Sequence, residues 1–183
     1  MDREQAFKEL TGRLGNKNLV KHSLAVEAIM RELAGYFDKD VESWGLAGLL
    51  HDIDYERTAD DPSKHSIVGA EILESLGIDN SIVYAVRAHN DYHGMERKRK
   101  MDKALFCADP VSGLITAAAL ILPSKKLQDV SVEFIMNRFG EKGFARGANR
   151  DNIKKCDELG LTLEQFIEIS LNAMKNISFE LGL

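Results

Sequence analysis

The chain has 183 residues, 44% of them hydrophobic, with a formal net charge of −5. That is length enough for one domain with a true core. The acidic balance lacks the basic signature of a duplex nucleic-acid binder.

The opening stretch MDREQAFKEL is charged and has no apolar signal-peptide core. Cys107 and Cys156 lie far apart, form no CxxC, and read as reduced thiols of a cytoplasmic protein. Helical periodicity dominates from there on, with no alternating strand and no repeat, so the expected class is all-α. A first helix is expected over residues 3–14, ending near Gly15, and a second over 18–37. Asp40 can cap a third that carries Trp44 and reaches His51-Asp52. YERTADDP reads as a loop, after which Ser63 or Lys64 opens a fourth helix that stops at Gly77. Asn80 is placed to cap a fifth ending near Asn90. The basic loop ERKRK, read as a solubilising loop, precedes the longest apolar segment, residues 101–122, where Pro110 must kink the helix or begin a new one. Its apolar run GLITAAALIL is too short to span a bilayer, and no membrane partner is expected. Helices near 130–139 and 148–159 follow, and Thr162 with Gln165 forms a capping box for the last.

The histidines carry the functional signal. His22 lies on the stripe of Val26, Ile29 and Leu33; His51 continues that of Trp44, Ala47 and Gly48. His65 shares a face with Val68, Gly69 and Ile72, and His89 with Ile82, Ala85 and Val86. Asp109 follows Leu105 and Phe106 in an apolar segment, and Asp52 adjoins His51. His93 sits in a loop and is set aside. Four histidines on four helices and an aspartate on a fifth thus point at the core, with Asp52 beside them. A lone core histidine is usually satisfied by a hydrogen bond, but this many inward-facing donors are satisfied together by metal. Imidazole and carboxylate without thiolate suit Fe, Mn, Co, Ni or Zn. Six ligands exceed what one ion with an open position needs, and fit two divalent transition-metal ions bridged by a carboxylate and a water.

The order H…HD…H…H…D, on His22, His51-Asp52, His65, His89 and Asp109, resembles the HD superfamily of metal-dependent hydrolases. So do the phrases NLVKHSLAVEAIM, LAGLLHDIDYE, KHSIVGAEIL, AVRAHN and DKALFCADPVSGL. The resemblance covers roughly residues 18–123 and is greatest to the dinuclear members, and among all to uncharacterised bacterial and archaeal predicted hydrolases. It implies a compact helical bundle, a single HD domain over 1–183 with its metal-binding core at 18–123 and a helical extension at 124–183. It also implies that His22, His51, Asp52 and Asp109 hold one metal, and that His65 and His89 hold the second, with Asp52 bridging. Many dinuclear members have a lysine three residues after the HD aspartate; here Tyr55 stands there.

The implied reaction is hydrolysis of a small phosphorylated metabolite or nucleotide by a metal-bridging hydroxide, with His51, Asp52 and Asp109 as the catalytic group. Cations for the rest of the phosphate would come from Arg57, Lys64, Lys125, Lys126, Arg146 and Arg150. Two other readings use the same ligands: a di-iron oxygenase of the HD fold, and a catalytically silent nucleotide-binding sensor.

Overall fold

The computed structural model describes residues 1–141 and 143–183. Among these there is no strand. Eleven α-helices run in order: α1 (Arg3–Thr11), α2 (Lys17–Tyr36), α3 (Val41–Leu50), α4 (Tyr55–Thr58), α5 (Ile67–Ser75), α6 (Asn80–His89), α7 (Lys100–Ile121), α8 (Val132–Phe139), α9 (Arg150–Lys154), α10 (Leu163–Asn176) and α11 (Ser178–Leu181). Three 3₁₀ turns, Asp91–His93, Leu127–Asp129 and Lys155–Leu159, join them.

The bundle is built on α2, α3 and α7. Trp44 through Leu50 are all buried, so α3 is apolar around its whole circumference and can only be a central helix. It lies close against α2 because position 48 is glycine: a Cβ there would sit 2.8 Å from the Val26 carbonyl oxygen and 2.9 Å from the Glu27 backbone. Arg3, Glu27, Arg31 and Glu42 tie α1, α2 and α3 together, with the buried Glu27 accepting from both arginines.

By length and composition α7 could cross a membrane, and it is longer than its apolar run of ten suggests; most of its apolar stretch is buried inside the bundle. It continues unbroken through Pro110, which has no N–H to give the Phe106 carbonyl. Helix α10 packs on α2, α7 and α8. It starts at the expected capping box, with the Thr162 side chain accepting from the Gln165 N–H and Gln165 returning the bond. Cys107 and Cys156 are free and buried, and burial pushes the Cys156 thiol up to about 11. In the basic loop, the Arg97 guanidinium stacks 3.7 Å over the Phe106 ring, and the Lys98 and Arg99 N–H groups donate to Asp102.

Four expectations are corrected. The first helix ends at Thr11 rather than Leu14. The segment after the HD pair contains a short helix, α4. Asp79, not Asn80, caps α6, its side chain accepting from the Ser81 N–H. The fourth correction concerns the site: α5 begins at Ile67, so His65 lies in the turn before it and not on a helix. The cause is Asp54, which is fully buried. One of its oxygens faces His65 Nδ1 at 3.2 Å and the other accepts the Ser66 N–H at 2.9 Å. Ser66 is thereby held at a φ of +69°, a conformation that costs a non-glycine residue about 1–3 kcal/mol and persists only where its surroundings enforce it.

Candidate metal centre

Each of the six residues is delivered from a different place in the fold. His22 comes from the second turn of α2, His51 from the C-cap of α3 and Asp52 from the turn after it. His65 comes from the turn before α5, His89 is the last residue of α6, and Asp109 comes from the middle of α7. The imidazoles form an edge-to-face file, with His22–His51, His51–His89 and His89–His65 ring centroids 5.0, 5.1 and 5.0 Å apart.

Asp52 lies between the two halves of the file. Its Oδ2 is 3.6 Å from His22 Nε2 and 3.4 Å from His51 Nε2. Its Oδ1 is 3.4 Å from both His65 Nε2 and His89 Nε2. Asp109 joins only the first half, its Oδ1 standing 3.1 Å from His22 Nε2 and 3.9 Å from His51 Nε2. Among the described residues two groups have ligand atoms mutually close enough for an ion: His22 with His51 and Asp109, and His51 with Asp52 and His89. Donors bound at about 2.1 Å to one ion stand about 3.0–3.4 Å from one another; four of these six distances fall there, and His22–Asp52 at 3.6 Å and His51–Asp109 at 3.9 Å are wider.

The outward ring nitrogens show why metal fits. His51 Nδ1 donates to the Gly48 carbonyl at 2.8 Å and His89 Nδ1 to the Val86 carbonyl at 2.6 Å. His65 Nδ1 faces the Asp54 carboxylate. The Ser112 hydroxyl donates to the Asp109 carbonyl at 2.7 Å, which leaves its oxygen to accept from His22 Nδ1 at 3.0 Å. In their neutral form all four imidazoles therefore carry the proton on Nδ1 and turn a bare Nε2 inward. Two such lone pairs, on His22 and His51, face each other at 3.2 Å. The buried His89 Nε2 has no hydrogen-bond partner. Bare nitrogens that close, beside two carboxylates, call for a cation among them.

The charges respond accordingly. Burial pushes His51 down to about 4, leaving it neutral at pH 7. Burial also acts to lower His22 and His89, but Asp109 and Asp52 respectively outweigh it and hold both above the ordinary imidazole value. Burial would raise both aspartates; the histidines around them overcome it and hold them below the usual carboxylate range.

The supporting residues were not singled out from the sequence. Asp54 was visible only as another acid after the HD pair, and Ser112 as a polar residue in an apolar helix three positions after Asp109. His93, set aside as a loop residue, lies in a 3₁₀ turn and donates from Nε2 to the His65 carbonyl at 2.9 Å, which Asn90 also engages. Tyr55 stands edge-on to His65, with centroids 5.1 Å apart.

Among the described residues, none of the six cations suggested for phosphate contact pairs with one of the six clustered residues. Arg57 is exposed on α4, and Lys64 pairs with Asp61 at 2.8 Å. Lys125 and Lys126 are exposed beyond the end of α7, whose last residue is about 18 Å along the axis from Asp109. Arg146 and Arg150 border a shallow cavity that has no metal-ligand residue in its lining. The Arg150 guanidinium donates to the carbonyls of Phe139, Phe144, Ala145 and Ala148 and so holds their loop. Lys21, not among those six, shares a cavity of about 460 Å³ with His22.

Comparison with known proteins gives the same picture. The family described as HD domain matches residues 19–119. Ribonuclease Y of Desulfotalea psychrophila is 32% identical over 74% of this chain and 26% of its own length. Ribonuclease Y of Wolinella succinogenes is 31% identical over 79% of this chain and 29% of its own. An uncharacterized protein of Methanocaldococcus jannaschii is 41% identical over 49% of this chain and 54% of its own. The chain thus spans between about a quarter and about a half of these curated relatives. No solved structure matches it. The chain belongs to the HD-domain superfamily of metal-dependent hydrolases.

Proposed function

We propose that this protein is a dinuclear metal-dependent phosphohydrolase acting on a small phosphorylated metabolite or nucleotide. The observation that carries the reading is Asp52, whose two oxygens address two different histidine pairs, as a bridging carboxylate must. On this reading His22, His51, Asp52 and Asp109 hold one ion, and His65 and His89 with Asp52 hold the second. When bound, such ions supply a water acidic enough to ionise near neutral pH and positive charge for the phosphoryl oxygens.

The chain's own contribution is placement. Gly48, Val86, Asp54 and Ser112 fix the ring orientations before any ligand arrives, so little rearrangement is left to binding. Asp109, about one-third exposed, is the carboxylate open toward an incoming substrate, whereas Asp52 is buried. Tyr55, where many dinuclear members carry a lysine, offers a neutral phenol rather than an ammonium. That favours hydrogen bonding over charge pairing at the substrate.

The test is a panel of nucleotides, sugar phosphates, chromogenic phosphate esters and short single-stranded RNA, the last because relatives are named ribonuclease Y. It is run anaerobically with Mn²⁺, Co²⁺, Ni²⁺ or Fe²⁺. Metal-dependent release of phosphate or of a nucleoside phosphate, abolished in Asp52→Ala, supports the reading. Activity only in air with iron, accompanied by oxygen uptake, rejects it in favour of an oxygenase. Tight nucleotide binding with no turnover rejects it in favour of a sensor.

A further inference from the structure

The cavity of about 460 Å³ that begins at His22 is a groove between α2 and α7, closed below by the turn after α11. Along α7 its residues Gly113, Thr116 and Leu120 follow Asp109 at intervals of four, seven and eleven, one face of the helix. From Gly113 to Leu120 the groove therefore runs about 10 Å along α7, leading away from the metal ligands. On α2, Asn18 and Lys21 line the other wall. The space above Gly113 is open, since a Cβ there would meet nothing within 4 Å. Leu120 is 49% exposed, a large apolar side chain left toward solvent at the far end. Leu181 and Leu183 complete an apolar floor.

Lys21 is the one cation of the groove's lining, which includes no acidic side chain and no aromatic ring other than His22. The ammonium lies over Gly182, where a Cβ would come within 2.9 Å of Nζ, so the glycine leaves room for it. The volume falls among small-molecule sites, which occupy roughly 300–1,000 Å³. An extended single strand of nucleic acid would instead want repeated cations and stacking platforms.

We infer that this groove holds the organic part of the substrate, which is an organophosphate with a slender, largely apolar body and a second anionic group received by Lys21. The inference rests on the proposed phosphohydrolase reading, because it assumes the scissile phosphoryl group at the histidine cluster. Thr116 and Asn18 then supply hydrogen bonds along the body, and Lys21 determines specificity without touching the reacting atoms.

Calorimetry on the manganese-loaded protein tests it with three probes: methylphosphonate, octylphosphonate and 8-phosphonooctanoate. Octylphosphonate should bind at least about tenfold tighter than methylphosphonate through apolar burial. The carboxylate of 8-phosphonooctanoate should add a further factor of about five, the yield of a partly exposed ion pair. Gly113→Leu, which fills open space, should erase most of the first gain. Lys21→Gln should erase the second and leave octylphosphonate binding in place. Equal affinity for all three probes, or gains that persist in both variants, would overturn the groove inference while leaving the metal centre's reading intact. Failure of methylphosphonate to bind the metal-loaded protein at all would overturn both.

Discussion

Replacing Ser112 by alanine removes the acceptor that fixes His22 with its proton on Nδ1. Metal affinity is expected to fall about 10–100-fold with the fold retained, the usual effect of losing a ligand's hydrogen-bond partner. Asp54→Asn should act similarly through His65. Titration with Mn²⁺ alongside circular dichroism checks both; unchanged affinity in both variants would mean the rings are held by packing alone. Protonation gives a second residue-level expectation. His22 and His89 are held above the ordinary imidazole value, so a metal must displace protons from them. His51, pushed down to about 4, has none to give at neutral pH. Proton release on metal binding should be largest in mildly acidic solution and fade as the pH rises past the raised values. Calorimetry in buffers of different ionisation heat measures it, and release that grows with pH would contradict these assignments. At this scale the convergence of the six side chains was legible in the sequence, because an imidazole on an apolar stripe needs a partner wherever the helix ends up. Their supports were not: Ser112 and Asp54 act through contacts between residues 90 and 11 positions apart, which no local pattern reveals.

Helix α3 sets the spacing of the site. It carries His51 at its C-cap, and its approach to α2 depends on Gly48, whose carbonyl also holds His51 Nδ1. Gly48→Ala would place a methyl group 2.8 Å from the Val26 carbonyl oxygen, against backbone that cannot swing aside. Stability should drop by about 1–3 kcal/mol, the cost of overpacking, and metal affinity should drop with it as His51 shifts from His22. Chemical denaturation of the metal-free protein reads the first effect; a variant as stable as the parent would show that the helices can part freely. The boundaries of α2, α3 and α10 were readable from caps and periodicity. The start of α5 was not, because a buried carboxylate from another segment overrides the helical preference of residues 63–66 and turns His65 inward from a strained turn.

Seen whole, the molecule is a helical bundle whose central elements each end or pass at one point, where four histidines and Asp109 meet around Asp52. The bundle and its HD signature were legible from composition and motif spacing; the groove beside His22 was not. It is assembled from α2, α7 and the turn after α11, and none of those segments marks it by itself. Nearness to the end of α7's ligand-bearing stretch suggested Lys125 and Lys126, whereas the lysine that shares the cavity with His22 is its sequence neighbour Lys21. The central claim is a pair of ions sharing Asp52, and elemental analysis of the purified, metal-loaded chain and its variants tests it most directly. The account predicts two ions per chain in the parent, one in His65→Ala or His89→Ala, and fewer than one in Asp52→Ala. A single tightly bound ion in the parent, unchanged by substitution at His65 and His89, would contradict it.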